Sequence, residues 1–432
     1  MKRKLHCILA VSLLVCSVAC KNPWSKEKPL TLTGITAVYS STNAIFPDTN
    51  LYTLRAGLTV TGNYTGGFTK TLTDYTLSGG LTTGESVITV RYQGRTTTFK
   101  VTVETSHSHS WSGWVTTIPP TFIEQGEETN SCSATPSHID IRPIDPLTIT
   151  TTADWNNART QLNGKTGNYT LTIGGTFPVS GSTSPTFGTT ADGSTLVVTL
   201  KGTGKLYLTS HGNIIRLGAN QTLIIDSAGL TLEGLKNGQN GSAWDNNQTV
   251  LYVGGFAKLE LRNGTIRGNN TSSSGGGVVV NGSFTMSGGT ISGNTASDNG
   301  GGVYVGLVQD SDFTMTGGTI SGNTAIGHGG GVYVNGIFTM TGGEISGNST
   351  PPVRYGGGVY SRGTFRIVTG IVYGSDGGAL SNVSSAGTAA LYLESGTAQR
   401  GTFSGASWVS QGNLTTSNNT IKVLNGDLVP YP

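Results

Sequence analysis

Four residues that could bind a metal ion lie close together between positions 105 and 145. They are His107, His109, Cys132 and His138. Imidazole nitrogens and thiolates are the ligands that zinc prefers, so this segment could hold a four-ligand zinc site. The more ordinary interpretation is a linker module without a metal, packed on Trp111 and Trp114. The sequence favours the linker and implies no cofactor.

Carboxylates that could support polysaccharide cleavage are few. Glycoside hydrolysis needs two carboxylates, and a calcium-dependent lyase needs clustered acids beside a basic proton acceptor. The best acidic group consists of Asp226, Glu233 and Asp245. Asp310 and Asp312 could hold calcium weakly, but a solvated loop is the more ordinary interpretation. The sequence therefore favours a protein that is not an enzyme, with a polysaccharide-active enzyme as the alternative.

A tyrosine recurs in a short repeated segment, at a position between two apolar residues. Successive copies carry Tyr252, Val279, Tyr304, Tyr333 and Tyr360 there. Because adjacent residues of a strand point to opposite faces, this column points away from its valine neighbours. An outward stripe of tyrosines could stack on sugar rings or bind a protein partner. The alternative is structural, with the rings covering one sheet face beneath loops.

The tyrosines belong to a repeat with a period of 25 residues, clearest at 255–375. Glycine triplets begin at Gly275, Gly300, Gly329 and Gly356, so their spacings are 25, 29 and 27, and the longer spacings contain insertions at turns. Three short apolar runs per unit predict one coil of a β-solenoid, with coils stacked about 4.8 Å apart. The region from 146 to 432 would then hold about ten or eleven coils.

Alternation within the repeat assigns side chains to columns. We expect one group of apolar residues to stack inward: Phe284, Phe313, Phe338, Met286, Met315, Met340, Ile291, Ile320 and Ile345. An asparagine recurs at one turn, at Asn269, Asn294, Asn323 and Asn348. Stacked amides can hydrogen-bond to each other and to the backbone, so we interpret this column as a structural ladder.

A short helix is predicted ahead of the solenoid. In the segment WNNARTQLNG, Trp155, Ala158 and Leu162 share one helix face, and Gly164 ends the segment. A helix in this place would cover the open N-terminal end of a parallel β-helix.

Residues 31–104 are predicted to form a separate β domain. Short alternating runs are separated by turn residues, and Gln93-Gly94 predicts a tight turn between the last two strands. The stretch ITVRYQGRTTTFKVTV resembles the last hairpin of bacterial immunoglobulin-like domains, in which a tyrosine, any residue and a glycine form the turn. The resemblance implies a β-sandwich that acts as a spacer or an adhesive unit.

The segment at 105–145 resembles a small repeat of spirochaete and other bacterial surface proteins. The matching residues are His107, His109, Trp111, Gly126 and Cys132. Phe122 and Thr135 stand where that repeat has two further cysteines. Because two thiol ligands are missing, the linker interpretation is favoured over zinc.

The first twenty residues are typical of a bacterial secretion signal. A basic start is followed by an apolar run and by small residues that end in Ser17-Val18-Ala19-Cys20. This ending resembles the signal of spirochaete-type lipoproteins, in which the chain is cleaved before a cysteine whose thiol is acylated. The resemblance implies a signal at 1–19, a lipid on Cys20, a tether at 20–30, and anchorage in the membrane of the cell envelope, at the outer membrane or cell surface.

Composition excludes several classes of function. Asp, Glu, Lys and Arg make up 11% of the 432 residues, whereas glycine contributes 66. The formal net charge of +3 is accounted for by Lys2, Arg3 and Lys4 within the signal. No basic surface for nucleic acid is implied. Few charges and many turn residues indicate an all-β chain.

The repeat resembles those of chlamydial polymorphic membrane proteins and other autotransporter passengers, which pair Phe-x-x-Asn with Gly-Gly-Ala. The corresponding pattern here is Ile-x-x-Asn followed by Gly-Gly-Gly-Val, over about 255–380. The resemblance implies a right-handed, single-stranded parallel β-helix of the pectate-lyase type, displayed at the cell surface.

These patterns predict an all-β surface lipoprotein. It would contain an immunoglobulin-like β-sandwich at 31–104, a linker module at 105–145 and a parallel β-helix at 146–432. The predicted function is that of a monomeric adhesin or display rod that binds a host matrix protein or a polysaccharide. The alternative is a pectate-lyase-like protein that binds or cleaves polysaccharide.

Overall fold

A computed structural model describes residues 31–430, except 107, 136, 191–193, 241, 244, 309–310, 385–387, 396, 405–406 and 418. The predicted signal, the tether and Cys20 lie outside these residues. None of the helices in the described part of the chain combines the length and hydropathy of a bilayer-spanning segment. The chain divides into two compact units. The first contains the chain up to Val115 together with Glu128–Arg142, and the second contains Thr116–Glu127 and the chain from Pro143 onward.

The first unit contains two antiparallel sheets of three strands each. One sheet consists of Leu32–Tyr39, Leu58–Tyr64 and Thr69–Leu72, and the other of Thr76–Ser78, Gly84–Tyr92 and Arg95–Val103. Apolar side chains from both sheets share one buried core, among them Val60, Ile88 and Phe99. Alternation explains this core, because every second residue from Ser86 to Tyr92 is buried.

The predicted turn at Gln93-Gly94 is confirmed. Tyr92 pairs with Arg95, so only two residues connect the strands. Both have positive φ, 44° for Gln93 and 77° for Gly94, which is the conformation of a two-residue hairpin turn that matches the twist of the strands.

Further short elements complete this part of the chain. The strands are Val115–Ile118, Gly126–Ser131 and Ile139–Ile144, and the 3-10 helices are Leu51–Gly57 and Thr65–Gly67. The boundary between the two units falls within the segment that contains these three strands.

The predicted helix of the second unit spans Thr152–Leu162. The Thr151 side chain accepts a hydrogen bond from the backbone N–H of Asp154, and the Asp154 carboxylate accepts one from the N–H of Thr151. The buried residues of the helix are Trp155, Ala158 and Leu162. They belong to the same apolar cluster as the first coils, so the predicted helix face is confirmed.

The chain after the helix forms a right-handed parallel β-solenoid of about eight turns. Its strands form three long sheets, which we name after a side chain that stacks in each. The phenylalanine sheet contains Gly167–Ile173, Leu196–Gly202, Gln221–Ile225, Lys258–Leu261, Ser283–Met286, Asp312–Met315, Ile337–Met340, Thr364–Ile367, Thr397–Ser404 and Ser407–Asn413. The isoleucine sheet contains Thr176–Val179, Lys205–Leu208, Thr231–Glu233, Thr265–Arg267, Thr290–Ser292, Thr319–Ser321, Glu344–Ser346, Gly370–Val372, Ile421–Leu424 and Asp427–Leu428.

The third long sheet carries the recurring tyrosine. This tyrosine sheet contains Ile215–Leu217, Leu251–Val253, Val278–Val280, Val303–Val305, Val332–Val334, Val359–Ser361 and Leu391–Leu393. A small sheet at the asparagine turn contains Asn270–Thr271, Thr295–Ala296 and Thr324–Ala325. A 3-10 helix spans Gly378–Leu380.

Strands pair in register from coil to coil. Phe284 pairs with Phe313 and Phe313 with Phe338, and their rings stack with centroids 4.5 and 4.6 Å apart. The methionine and isoleucine columns are also fully buried. The predicted inward columns are therefore confirmed. Each coil buries its apolar side chains against its neighbours, which makes the core continuous.

The recurring asparagines form a buried ladder at one turn. Nδ2 of Asn294 donates to Oδ1 of Asn323 at 3.1 Å, and Nδ2 of Asn323 donates to Oδ1 of Asn348 at 3.0 Å. The ladder runs through Asn246, Asn269, Asn294, Asn323, Asn348 and Asn382. It is thus longer than the repeat motif indicates, because the first and last members stand outside that motif.

The last strands are antiparallel to their neighbours. Ser407–Asn413 runs against Thr397–Ser404. Ile421–Leu424 runs against Gly370–Val372 and pairs in turn with Asp427–Leu428, again antiparallel. The solenoid therefore has about eight turns instead of ten or eleven, because the final part of the chain forms hairpins and not further coils.

Candidate functional site

One column of side chains runs along the outer face of the tyrosine sheet. Strand register places in it Arg216, Tyr252, Val279, Tyr304, Tyr333, Tyr360 and Tyr392. The residues on either side of each tyrosine point into the core, as Val303 and Val305 do. Arg216 and Tyr392 are additions to the sequence prediction. The glycine triplet is absent before their strands, as it also is before Tyr252, and the strand register assigns both residues to the column.

Four tyrosine rings form a continuous stack. Ring centroids are 5.3 Å apart for Tyr304 and Tyr333, 5.0 Å for Tyr333 and Tyr360, and 5.2 Å for Tyr360 and Tyr392. These distances are close to the separation of neighbouring strands, so the sheet itself sets the spacing of the stack. Stacked aromatic pairs of this kind stabilise a sheet beyond the burial of their area.

Loop side chains cover one part of the stack. Tyr333 and Tyr360 are only 5% and 4% exposed. The His328 ring stacks on Tyr360 at 4.6 Å, and Tyr355 stacks on Tyr392 at 4.4 Å. The outward stripe is therefore shorter than the sequence predicts, since Tyr333 and Tyr360 are not available at the surface.

The phenol groups in the covered part have defined partners. Oη of Tyr360 donates to Oε2 of Glu394 at 2.6 Å, and Nε of Arg362 lies 2.9 Å from the same oxygen. Burial raises the pKa of Tyr360 far above its usual value, and the Glu394 carboxylate acts in the same direction. Burial also raises the pKa of Tyr333. Both phenols stay protonated: Tyr360 donates to Glu394, and the Tyr333 oxygen accepts from Arg362.

The column is interrupted at Val279, where the missing ring leaves a notch. This Val279 notch has a volume of about 210 Å³. It is lined by Gln248, Thr249, Tyr252, Ser273, Ser274, Val279, Asn281 and Tyr304. None of these lining side chains carries a charge.

Two aromatic faces border the Val279 notch. The guanidinium of Arg216 lies over one face of Tyr252, 3.7 Å from the ring centroid, and Tyr333 covers one face of Tyr304. The other face of each ring is turned toward the coil of Val279. Tyr252 and Tyr304 are two coils apart, about 10 Å, so one inserted ring would lie about 5 Å from each. That is the spacing at which the tyrosines of the column stack on each other.

Neutral polar groups lie beside these aromatic faces. Nδ2 of Asn281 donates to Oη of Tyr252 at 2.7 Å, which fixes the orientation of that ring. Serine hydroxyls and a glutamine amide line the remaining border. Aromatic faces with a few neutral donors and acceptors suit a polar, uncharged ring that can stack between the two tyrosines.

Glu233, the central member of the predicted acidic group, is held by ion pairs. Its carboxylate lies 2.8 Å from Nζ of Lys205 and 2.9 Å from Nη2 of Arg267, and it accepts from Nδ2 of Asn240 at 2.7 Å. Burial opposes ionisation, but hydrogen bonds from Lys205, Asn240 and Gln239 and the charge of Lys205 lower the pKa of Glu233 to about 2. A general acid needs a raised pKa, so Glu233 is unsuited to that role.

The other acids of that group are also engaged. Asp226 lies 3.7 Å from Arg262, and Asp245 accepts a backbone N–H. Asp310 lies outside the described residues. Among the residues that are described, Asp226, Glu233 and Asp245 do not come close enough together to hold a metal ion.

One group of metal-binding side chains does occur in the described part of the chain, within the first unit. His109, Cys132 and His138 have ligand atoms that all lie within 4.8 Å of one another. The fourth predicted residue, His107, lies outside the described residues. The Trp111 ring stacks on His109 with centroids 4.9 Å apart, so this tryptophan packs against the group.

Comparisons with known proteins gave no match, whether with protein-family models, with curated proteins or with solved structures. The resemblances to lipoproteins, immunoglobulin-like domains and autotransporter passengers therefore stay predictions from the sequence. A function has to be argued from the residues and their geometry.

Proposed function

We propose that this chain is a lipid-anchored, non-catalytic protein of the bacterial cell surface, and that its solenoid binds an uncharged sugar ring in the Val279 notch. The observation that carries the proposal is the single missing ring between Tyr252 and Tyr304. Two aromatic faces about two ring spacings apart, with neutral amides and hydroxyls beside them, favour a pyranose over an ion or an apolar chain. The protein would act as an adhesin for polysaccharide of a host or matrix.

The surface location rests on the N-terminal sequence. Ser17-Val18-Ala19-Cys20 supports cleavage before Cys20 and acylation of its thiol. The repeats at about 255–380, which resemble those of autotransporter passengers, support display at the surface.

We assign the first unit the role of a bacterial immunoglobulin-like spacer. Its two antiparallel sheets share one core, and the Tyr92-Gln93-Gly94 turn has the expected backbone conformation. Both features support a β-sandwich of this class.

The state of the carboxylates argues against polysaccharide cleavage. Hydrogen bonds from Lys205, Asn240 and Gln239 and the charge of Lys205 keep Glu233 ionised, and its pKa of about 2 leaves no proton to donate to a leaving group. Asp226 lies beside an arginine. A binding protein needs neither group for chemistry.

The test is to fill the notch. Val279→Tyr would complete the ring stack between Tyr252 and Tyr304, so the variant should fold normally and lose sugar binding. Purified protein is passed over immobilised neutral polysaccharides, acidic polysaccharides and matrix proteins, and released reducing ends are measured in the same samples. The matched control is Thr285→Tyr, which adds the same ring to the same coil on the outer face of the phenylalanine sheet.

The outcomes separate the alternatives. Retention of wild type and Thr285→Tyr on neutral polysaccharide, with loss in Val279→Tyr, supports the proposal. Equal retention of both variants would show that the ligand does not enter the notch. Retention on matrix proteins alone would contradict a sugar ligand, and release of reducing ends would contradict a non-catalytic role.

A further inference from the structure

We infer that the first unit binds one zinc ion through His109, Cys132 and His138. This inference is independent of the sugar-binding notch. The three ligand atoms already lie within 4.8 Å of one another. Tetrahedral zinc with bonds of about 2.0–2.3 Å places its ligand atoms about 3.5 Å apart, so side-chain shifts of about 1 Å would close the site.

The backbone brings these residues together. Trp111 and Cys132 are partners in an antiparallel bridge. The N–H of Cys132 donates to the carbonyl of His138 at 3.0 Å, and the N–H of Ser133 donates to the carbonyl of Ser110 at 2.8 Å. The cluster is therefore fixed by main-chain hydrogen bonds and does not depend on one side-chain rotamer alone.

Each histidine is oriented through Nε2. In His109 this nitrogen lies 2.7 Å from Oδ2 of Asp48, and in His138 it lies 3.2 Å from Oγ1 of Thr49. Nδ1 of both rings is buried. The Asp48 carboxylate can only accept, so it holds the proton of His109 on Nε2 and leaves Nδ1 to face the metal, as in known zinc sites. The Thr49 hydroxyl can accept from Nε2 of His138 in the same way. Zinc would be bound by the two Nδ1 atoms and the Cys132 thiolate.

Aromatic rings enclose the cluster. Cys132 and His138 are 1% and 0% exposed. The Phe46 ring lies 4.2 Å from the ring of His138, and Trp111 stacks on His109. The His109 side chain keeps 20% exposure, so the cluster lies near the surface, and a water molecule would take the fourth position on zinc.

The types of ligand in the cluster indicate which metal it would bind. Two imidazoles and a thiolate suit zinc, whereas calcium and magnesium prefer oxygen ligands. Cys132 is the only cysteine after Cys20 in the chain. The sequence favours a linker because two cysteines of the related repeat are absent. The spacing of residues in the sequence does not reveal that Asp48 and Thr49, far earlier in the chain, contact the two histidine rings.

The experiment measures zinc directly. Purified protein is stripped with a chelator and dialysed against a series of buffered zinc concentrations, and the zinc bound per chain gives both the stoichiometry and the affinity. Wild type should retain one zinc ion, and so should His211→Gln, which changes an exposed histidine of the second unit. Cys132→Ser and His138→Gln should lose more than about tenfold in zinc affinity, and Asp48→Asn, which keeps all three ligands, should lose about 10–100-fold.

Cobalt gives a second readout. A thiolate ligand produces an intense near-ultraviolet charge-transfer band in the cobalt protein, and Cys132→Ser should lack it. The inference would be overturned if folded wild type retained no zinc, or if wild type and both ligand variants retained it equally. If a ligand variant does not fold, two other measurements test the inference: the cobalt spectrum of wild type and the zinc affinity of Asp48→Asn. A wild-type spectrum without the thiolate band would overturn the inference, and so would a zinc affinity of Asp48→Asn equal to that of wild type.

Discussion

Asn323 illustrates, at the scale of one residue, how the solenoid satisfies its buried polar groups. Its Nδ2 donates to Oδ1 of Asn348 and to the carbonyl of Ile291. Its Oδ1 accepts from the backbone N–H and from Nδ2 of Asn294. The amide therefore uses both donor positions and both acceptor positions, and no other side chain of similar size offers the same set.

Asn323→Ala should lower the free energy of unfolding by about 3 kcal/mol, because it leaves several buried polar groups without partners. Urea denaturation of wild type and variant measures the difference. Asn237→Ala, at an exposed asparagine of the same unit, should change stability by less than about 0.5 kcal/mol. Similar losses in the two variants would contradict a structural role for the ladder.

Glu233 should make stability depend on pH in the acid range. Its pKa falls from 4.5 to about 2 in the folded protein, so folding stabilises the ionised form. This contribution is present above pH 4.5 and is lost as the pH falls toward about 2. Glu233→Gln should therefore destabilise the protein most above pH 4.5, and its difference from wild type should shrink toward zero near pH 2.

Urea denaturation across that range measures the effect. Glu104→Gln, which removes an exposed carboxylate, is the matched control. A Glu233→Gln difference that stayed constant with pH would mean that the ion pairs with Lys205 and Arg267 are not its source.

Among the elements, the helix at Thr152–Leu162 has the clearest structural role. Trp155 packs edge-on against Phe187 with ring centroids 6.2 Å apart, and Nε of Arg159 donates to the carbonyl of Thr186 at 2.9 Å. These contacts attach the helix to the first coil, whose apolar side chains have no preceding coil to cover them.

Trp155→Ala should lower the free energy of unfolding by about 3–5 kcal/mol, because it leaves a large cavity between the helix and the first coil. Hydrogen exchange should become faster in Gly167–Ile173 and stay nearly unchanged in Val332–Val334, several coils away. Trp155→Phe is the control and should have a smaller effect. Uniform acceleration of exchange in both strands would contradict a local role for the helix.

The sequence predicts those elements that depend on local residues or on the adjacent coil. The period of the glycine triplets predicts the coil, alternation predicts the inward Phe313 column, and the spacing of Trp155 and Leu162 predicts the helix face. Each of these features depends on residues close together in the sequence or one repeat apart. The covering of Tyr360 by His328 could not be predicted in this way, because the loops lie outside the repeated pattern.

Two other features depend on contacts between distant parts of the chain. The antiparallel pairing of Ile421–Leu424 with Gly370–Val372 has no periodic signal, so the number of coils is overestimated from length. The Val279 notch is visible in the sequence only as one valine among tyrosines. Only the strand register shows that Tyr252 and Tyr304 lie on either side of this valine and that the missing ring leaves a notch.

At the scale of the whole solenoid, each coil contacts only its neighbours, so entire coils can be removed. Deletion of residues 275–299 removes one period of 25 residues and places Tyr304 on the coil next to Tyr252. The product should keep its parallel β structure, since stability in such folds is a sum over neighbouring coils. It should also lose sugar retention, because the notch is closed.

Deletion of residues 324–348 is the matched control. It removes the same length of chain and one tyrosine of the stack, but it leaves Val279 between Tyr252 and Tyr304. Circular dichroism and retention on neutral polysaccharide measure the two outcomes. Loss of retention in both deletions, with folding preserved, would contradict the notch as the binding site.

The coil-to-coil pairing also determines how the solenoid responds to mechanical load. Sheet hydrogen bonds lie across the strands, so here they point along the axis of the solenoid. Tension along that axis loads every coil boundary in series, so the weakest boundary opens first and the coils then separate in succession. Each coil of 25 residues releases about 80–90 Å of extended chain. Under a steady pull the solenoid would lengthen in small steps and dissipate the load before it failed as a whole.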